Sequence, residues 1–246
     1  MFKKIKYSIL KIIMNNFHNN FKEKNKWLSL KPIDESKIKK ISFPNEQYFS
    51  SEKDIYNKKQ IVLHHTVSGP GIRGDIDTWL STTNRVATSI IIERDGTVNQ
   101  LFDEKYWAAH IGAGKSFLDK HSIGIELDNW GQLTKRDNNF YAVYGNKVIV
   151  PIKKYLPKFR GEEYFEKYPI AQLKSLCELL LFFNIKYKIP LTYNEDMWDV
   201  SQEALQGTPG IWTHVSYRPY PANKSKWDCH PDDNLKEMLK TLSKIK

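Results

Sequence analysis

The stretch that decides the fold is residues 60–65, which read Gln60-Ile61-Val62-Leu63-His64-His65. An unbroken aliphatic run of this length predicts a buried strand. Successive side chains of a strand point to opposite faces, so one histidine can face a cleft while the other faces the body of the protein. The pair alone is a weak functional signal, because an imidazole often only bonds a backbone carbonyl.

The segments on either side of this strand alternate between helix and strand patterns. Residues 72–80 predict a helix, and residues 87–93 and 97–102 predict two strands joined by a tight turn at 94–96. Residues 122–127 predict a further strand, and residues 170–187 and 234–242 predict helices with apolar positions at helical spacing. The sequence therefore predicts an α/β fold, with a central mixed β-sheet flanked by α-helices.

Two segments depart from this alternation. Residues 1–40 are basic and rich in Lys, Asn and Ile, and we expect them to form an N-terminal extension of a single domain at 41–246. Their apolar patch at 7–14 is interrupted by Lys11 and is too short to span a bilayer, so no stable membrane insertion is expected. Residues 131–165 are polar and turn-rich, which predicts a long insertion with a hairpin near Gly145.

Composition narrows the class of protein only in part. Of the 246 residues, 40% are hydrophobic, which is enough for a sizeable core, and the net charge is +10. Such a charge favours nucleic acid, an anionic membrane or an acidic cell-wall polymer as partner, or reflects a Lys- and Asn-rich proteome. Because no nucleic-acid-binding motif is present, we expect no nucleic-acid partner. Two cysteines exclude a disulfide framework, and Cys177 is expected in the core.

Candidate metal ligands and a candidate acid/base group lie far apart in the sequence. His214 ends an apolar run, and residues 226–230, Lys-Trp-Asp-Cys-His, offer a carboxylate, a thiol and an imidazole. Zinc prefers such ligands, and a catalytic zinc keeps one position open for water. On the strand at 122–127, Gly124 and Glu126 share a face, so the glycine leaves room for a ligand beside the carboxylate. An edge strand with a polar, solvated face would show the same pattern.

Five of these segments together resemble the zinc-dependent N-acetylmuramoyl-L-alanine amidase family, which includes phage lysozyme-type amidases and peptidoglycan-recognition proteins. The segment 61–66 resembles the family's first-ligand strand, and 107–112 its tryptophan-histidine-glycine substrate loop. The segment 122–127 resembles its glutamate strand, while 213–214 and 226–228 resemble its last two ligands with the lysine between them. Each motif alone is weak, but all five occur in the family's order, over roughly residues 41–242.

The resemblance implies a role for each matching residue. His64, His214 and Asp228 would be the zinc ligands, although Cys229 stays an alternative because the family often has its third ligand directly before proline. The general acid/base would be Glu126, and the oxyanion that develops during the reaction would be stabilised by Lys226. The substrate groove would be bordered by Trp107, His110 and Asn129.

The implied activity is hydrolysis of the amide bond between N-acetylmuramic acid and the L-alanine of the peptidoglycan stem peptide, with one zinc ion as cofactor. Such a protein is a phage or prophage endolysin or a bacterial autolysin, expected to be monomeric, made in the cytoplasm and active on the cell wall, by an export route that the sequence does not reveal. The alternative is a recognition module that binds peptidoglycan without cutting it. A different zinc hydrolase is disfavoured because the helical HExxH motif is absent.

Overall fold

A six-stranded sheet forms the centre of the fold, in a computed structural model that describes residues 26–219 and 226–245. The strands of both sheets of the described chain, in sequence order, are β1 (Lys39–Lys40), β2 (Gln60–His65), β3 (Ile90–Ile92), β4 (Val98–Gln100), β5 (Ser122–Leu127), β6 (Gln132–Arg136), β7 (Asn139–Ala142), β8 (Lys147–Val148), β9 (Ile152–Phe159), β10 (Glu162–Glu166) and β11 (Gly210–Thr213). The central order is β1-β4-β3-β5-β2-β11. Strands β3, β5, β2 and β11 are parallel, whereas β3 and β4 form an antiparallel hairpin. The predicted mixed sheet is confirmed.

Burial on both faces explains why the central strands are continuous aliphatic runs. All six residues of β2 and all three of β3 are buried, and β5 has five buried residues and a half-buried Glu126. Parallel strands covered by helices on both faces have this composition, because no position meets water. The hairpin between β3 and β4 turns at Gly96, whose φ of 93° is easily reached only without a side chain.

Among the described residues, five α-helices accompany the sheet: α1 (Arg73–Leu80), α2 (Ser116–Lys120), α3 (Ile170–Tyr187), α4 (Gln202–Leu205) and α5 (Asp233–Leu242). The helix predicted over 170–187 is confirmed, and it buries residues at the predicted spacing, namely Leu173, Leu176, Leu179, Leu180 and Phe183. The closing helix begins one residue earlier than predicted, because Asp232 caps it by accepting from the N–H groups of Asn234 and Leu235. The core lies between the sheet and α3, α5, and includes Cys177 as expected.

The predicted insertion is a second sheet of its own. Its five antiparallel strands have the order β8-β7-β6-β10-β9. The predicted hairpin is formed by β7 and β8, with Gly145 at a φ of 85° in the turn. A small separate cluster of buried side chains, Leu133, Ala142 and Val148, supports it. The two ends of the insertion meet, since the N–H of Glu166 donates to the carbonyl of Gly131 at 3.0 Å.

Part of the segment assigned to the extension packs into the domain. Trp27 is 0% exposed and belongs to the main core, together with Ile33 and Ile38. The N–H of Ile33 donates to the carbonyl of Glu178 in α3, and β1 pairs with β4. Residues 26–40 therefore contribute to the fold of the domain. For residues 1–25, which include the apolar patch, the extension stays a prediction because they lie outside the described residues.

Within the described part of the chain, no helix combines the length and the apolar character needed to cross a bilayer.

Candidate metal centre

The candidate site lies at the carboxyl ends of three adjacent parallel strands. His64 is the fifth residue of β2, and its partner in the register with β5 is Glu126. On the other side of β2, Thr213 pairs with Leu63, so His214 follows directly at the level of His64. Ligand sites in open α/β sheets form at this edge, because strand ends and loops leave a crevice there. The parallel register thus brings together residues that are up to 150 positions apart.

Three side-chain atoms form a tight triangle at this edge. Nδ1 of His64 lies 2.9 Å from Nδ1 of His214 and 3.1 Å from Oδ2 of Asp228, and the last two atoms are 2.8 Å apart. All three residues are buried, with exposed fractions of 2%, 4% and 6%. In the described residues this is the group of His, Cys, Asp or Glu side chains that is close enough to share a metal ion.

The protonation states in the triangle suit a cation. Burial, and then the neighbouring His214, lowers the pKa of His64 to about 4, so its imidazole is neutral at physiological pH. Burial alone would raise the pKa of Asp228, but the charge and hydrogen bonds of His214 and His64 hold it well below its usual value. A neutral imidazole and an ionised carboxylate are the forms that coordinate metals.

A chain of hydrogen bonds behind His64 determines which of its nitrogens is free. The hydroxyl of Ser122 donates to the carbonyl of Leu118 at 2.7 Å, so its oxygen accepts from Nε2–H of His110 at 2.9 Å. Nδ1 of His110 is then unprotonated and accepts from Nε2–H of His64 at 3.0 Å. This leaves Nδ1 of His64 without a proton and facing the triangle.

Space for His110 comes from Gly124. A Cβ atom at Gly124 would lie 3.0 Å from Nδ1 of His110 and 2.8 Å from the methyl group of Thr88. The space beside Glu126 in which we expected a ligand is therefore filled by the side chains of His110 and Thr88. The ring of His214 is oriented in the same manner, because its Nε2–H donates to the carbonyl of Ile111 at 2.8 Å. Such outer contacts are typical of zinc-bound histidines.

A zinc ion fits this set of donors. Zn–N and Zn–O bonds are about 2.0–2.2 Å long in proteins, and three donors about 3 Å apart match three corners of a tetrahedron around such an ion. Two imidazoles and one carboxylate leave the fourth corner open, as in catalytic zinc sites. The orienting hydrogen bonds leave Nδ1 of both histidines as the donor atoms.

Asp228 and Cys229, the two candidates for the third ligand, lie on different sides of β2. The Sγ atom of Cys229 lies 2.9 Å from the hydroxyl of Tyr168 and 3.7 Å from the carbonyl of His64, on the opposite side of β2 from the triangle. Burial raises the pKa of the thiol well above its usual value, which disfavours the thiolate that zinc requires. His65 also faces this side, with Nδ1 3.0 Å from the Tyr168 hydroxyl. One histidine thus faces the cleft and the other the body, as predicted.

Glu126 and Lys226 line the same pocket of about 180 Å³ as His64, His214 and Asp228. Oε2 of Glu126 is buried and has no hydrogen-bond partner among the described residues. Burial, and then the charge of Asp228, raises the pKa of Glu126 well above its usual value, an effect that Lys226 opposes. An unpartnered carboxyl group of high proton affinity beside an open coordination position can exchange protons with a bound water.

Comparison with known proteins identifies the family. A sequence model of the family described as N-acetylmuramoyl-L-alanine amidase matches residues 55–231. The chain belongs to this family. No curated protein matched the sequence significantly.

Solved structures of amidases resemble the fold. The endolysin N-acetylmuramoyl-L-alanine amidase LysCS from Clostridium intestinale is 16% identical, with a TM-score of 0.48 over 84% of this chain and 95% of that chain. The amidase LysC from the same organism is also 16% identical, with a TM-score of 0.49 over 84% and 97%.

Of the three residues expected to border the substrate groove, His110 lies in the pocket of the candidate metal ligands, whereas Trp107 and Asn129 do not. His110 lines the same pocket as His64, His214 and Asp228, but its hydrogen bond with His64 could not be predicted, because nothing in a sequence shows that a loop histidine reaches His64. Trp107 lies elsewhere: its ring stacks on Phe49 at 3.8 Å and lines a different pocket with Lys120.

Asn129 does not reach the groove either. It is 0% exposed, and its Oδ1 accepts from the N–H of Gly131 at 2.7 Å. Its carbonyl accepts from the N–H of Ser68 at 3.1 Å, which ties down the loop after β2. The role of Asn129 is thus to hold the loop that borders the site, because an asparagine side chain readily bonds the backbone two residues on.

Proposed function

We propose that this protein is a zinc-dependent hydrolase that cuts the amide bond between N-acetylmuramic acid and L-alanine in peptidoglycan. The observation that carries the proposal is the triangle of His64, His214 and Asp228, open on one side and next to the unpartnered carboxyl group of Glu126. A recognition module needs no such set, because binding alone requires neither an open metal position nor a proton acceptor beside it.

The protein's own groups have distinct tasks in this reaction. His64, His214 and Asp228 would hold zinc, which when bound supplies a Lewis acid and lowers the pKa of its water to about 7. Glu126 accepts the proton of the attacking water at its free Oε2 and later donates a proton to the nitrogen of the leaving L-alanine. The ammonium of Lys226, on the wall of the same pocket, stabilises the negative charge that develops on the attacked carbonyl oxygen.

The test is product analysis on purified peptidoglycan. Zinc-loaded protein should release new L-alanine amino termini, a chelator should stop the release, and added zinc should restore it. Glu126→Gln should bind the wall without cutting it, whereas Glu203→Gln, on the exposed start of α4, should cut like the wild type. Binding to the wall with no cleavage by zinc-loaded wild-type protein would overturn the proposal in favour of the recognition module.

The biological setting belongs to the same proposal. An amidase of this kind acts on the cell wall as a phage or prophage endolysin or as a bacterial autolysin, after synthesis in the cytoplasm. The net charge of +10 supports attraction to an acidic wall polymer. Sedimentation of the purified protein would test the expectation that it is a monomer.

A further inference from the structure

A second pocket adjoins the pocket of the candidate metal centre. Its volume is about 370 Å³, and it shares Thr66, Val67, Trp79 and Glu126 with the pocket of the metal ligands. The first turns of α1, the loop after β2, Trp130 and the tip of the β7–β8 hairpin form its walls. A substrate that is cut at the metal centre can therefore extend from the cleaved bond into this second pocket.

A buried carboxyl group with a free oxygen lines this pocket. Asp75, in the first turn of α1, is 7% exposed, and its Oδ2 has no hydrogen-bond partner in the described part of the chain. A buried carboxyl oxygen without a partner costs free energy, unless a ligand supplies a donor. Burial raises the pKa of Asp75 to about 7, against the effect of the Ser68 hydroxyl, so a bound cation would readily ionise it.

Arg94, whose charge acts on Asp75, already has other partners. The guanidinium of Arg94 forms an ion pair with Asp128, donates to both carboxylate oxygens of Glu166 at 3.0 and 2.9 Å, and donates to the carbonyl of Ser68 at 3.1 Å. Two carboxylates thus share one arginine. No lysine or arginine is among the described residues that line the pocket, although the protein as a whole carries a net charge of +10.

The walls suit a cation on an apolar stem. The rings of Trp79, Trp130 and Tyr144 line the pocket, and aromatic faces attract cations as well as aliphatic chains. The pocket is open next to Gly74, because a Cβ atom at this position would meet nothing within 4 Å. Gly69 allows close approach of Trp130, whose ring would lie 3.0 Å from a Cβ atom at that position.

We propose that this pocket binds a primary ammonium on an aliphatic chain, with Asp75 as its carboxylate partner. In a peptidoglycan stem peptide this group is the side chain of a lysine-type diamino acid. The assignment rests on the proposed function, since that function brings a stem peptide to the metal centre. Tyr144, from the insertion, makes the second sheet part of this specificity pocket.

Two synthetic substrates test the assignment. One is N-acetylmuramoyl-L-Ala-D-γ-Glu-L-Lys, and the other has L-norleucine in place of lysine, which keeps the four-carbon chain and removes the ammonium. The zinc-loaded wild type should show a kcat/KM about 10- to 100-fold higher for the lysine substrate, as expected of a charged hydrogen bond. Asp75→Asn should bring this ratio close to one. The matched control is Asp77→Asn, whose exposed carboxylate on the same helix only pairs with Arg73, and it should keep the wild-type ratio.

A wild-type ratio near one, or an unchanged ratio in Asp75→Asn, would overturn the assignment. Failure of the proposed function would look different, as neither substrate would be cut by any variant. In that event, calorimetric binding of the free tripeptides L-Ala-D-γ-Glu-L-Lys and L-Ala-D-γ-Glu-L-norleucine decides the question. Preference of the wild type for the lysine tripeptide, lost in Asp75→Asn, supports the pocket, and equal binding of the two tripeptides refutes it.

Discussion

Replacing His110 with alanine is expected to weaken zinc binding although His110 is not a ligand. The imidazole of His110 accepts the Nε2–H of His64 at 3.0 Å and so keeps Nδ1 of His64 free for the metal. Without His110 this N–H loses its acceptor inside a residue that is 2% exposed. An unsatisfied buried donor costs about 1–3 kcal/mol. Since each 1.4 kcal/mol is a factor of ten, the zinc affinity should fall about 10- to 100-fold, the range typical of lost outer-shell partners.

The assay is a zinc titration of the apoprotein in competition with a chromophoric chelator. His121→Ala is the matched control, because it also removes one imidazole, but one that lies outside the site and contacts the carbonyl of Asn57. His110→Gln, which carries an amide oxygen that can accept a hydrogen bond, should recover part of the affinity. If folded His110→Ala bound zinc within about twofold of the wild type, the hydrogen-bond chain would not orient His64, and the reasoning would be refuted.

Three further predictions concern the catalytic base, the third ligand and the N-terminal core residue. Glu126→Gln should keep stoichiometric zinc while kcat falls about 10²- to 10⁴-fold, and full activity would exclude it as the base. Cys229→Ser should retain one zinc, because Sγ faces Tyr168, whereas Asp228→Ala should lose it; the opposite pattern in metal analysis would reverse the assignment. Trp27→Ala should lower the free energy of unfolding by about 3–5 kcal/mol in denaturant titrations, and a change below about 1 kcal/mol would show that residues 26–40 add little to the core.

Long periodic segments could be predicted from the sequence because their pattern is local. The strand at 122–127 and the helix at 170–187 occur with the predicted bounds, since burial on every face or on one helical stripe determines their composition. The second sheet could be predicted only as an insertion with one hairpin. All eight residues of β9 are half-buried or exposed, so the strand has no alternating pattern of burial, and only its pairing with β10 reveals it.

The residues of the candidate site could be predicted from the sequence, but their surroundings could not. His64, His214, Asp228 and Glu126 could be predicted as one group because their motifs follow in order along the chain. The parallel register brings His64, Glu126 and His214 together, and Asp228 lies within hydrogen-bond distance of both histidines. The surroundings of the site depend on distant contacts that no local pattern encodes. Trp107, for example, stacks on Phe49, which is distant in the sequence, and therefore lines a pocket other than that of the candidate metal ligands.

The surroundings of Asp75 and Asn129 could not be predicted from the sequence either. The carboxyl group of Asp75 became a candidate only when the structure showed its burial and its unpartnered oxygen. Asn129 has a local explanation, the bond from the N–H of Gly131, but a bond of this kind is only one of several that an asparagine can make.

The order of the ligands along the chain has a consequence for the synthesis of the protein. His64 leaves the ribosome first, and its two partners in the triangle follow 150 and 164 residues later. During translation at about 5–20 residues per second, the first ligand waits roughly ten seconds or more for the others. A nascent chain that ends before Asp228 carries two imidazoles and no carboxylate in the triangle. On the proposed function, metal capture, and with it cutting of the wall, therefore begins only after Asp228 has been synthesised, and a nascent chain that ends before Asp228 does not cut.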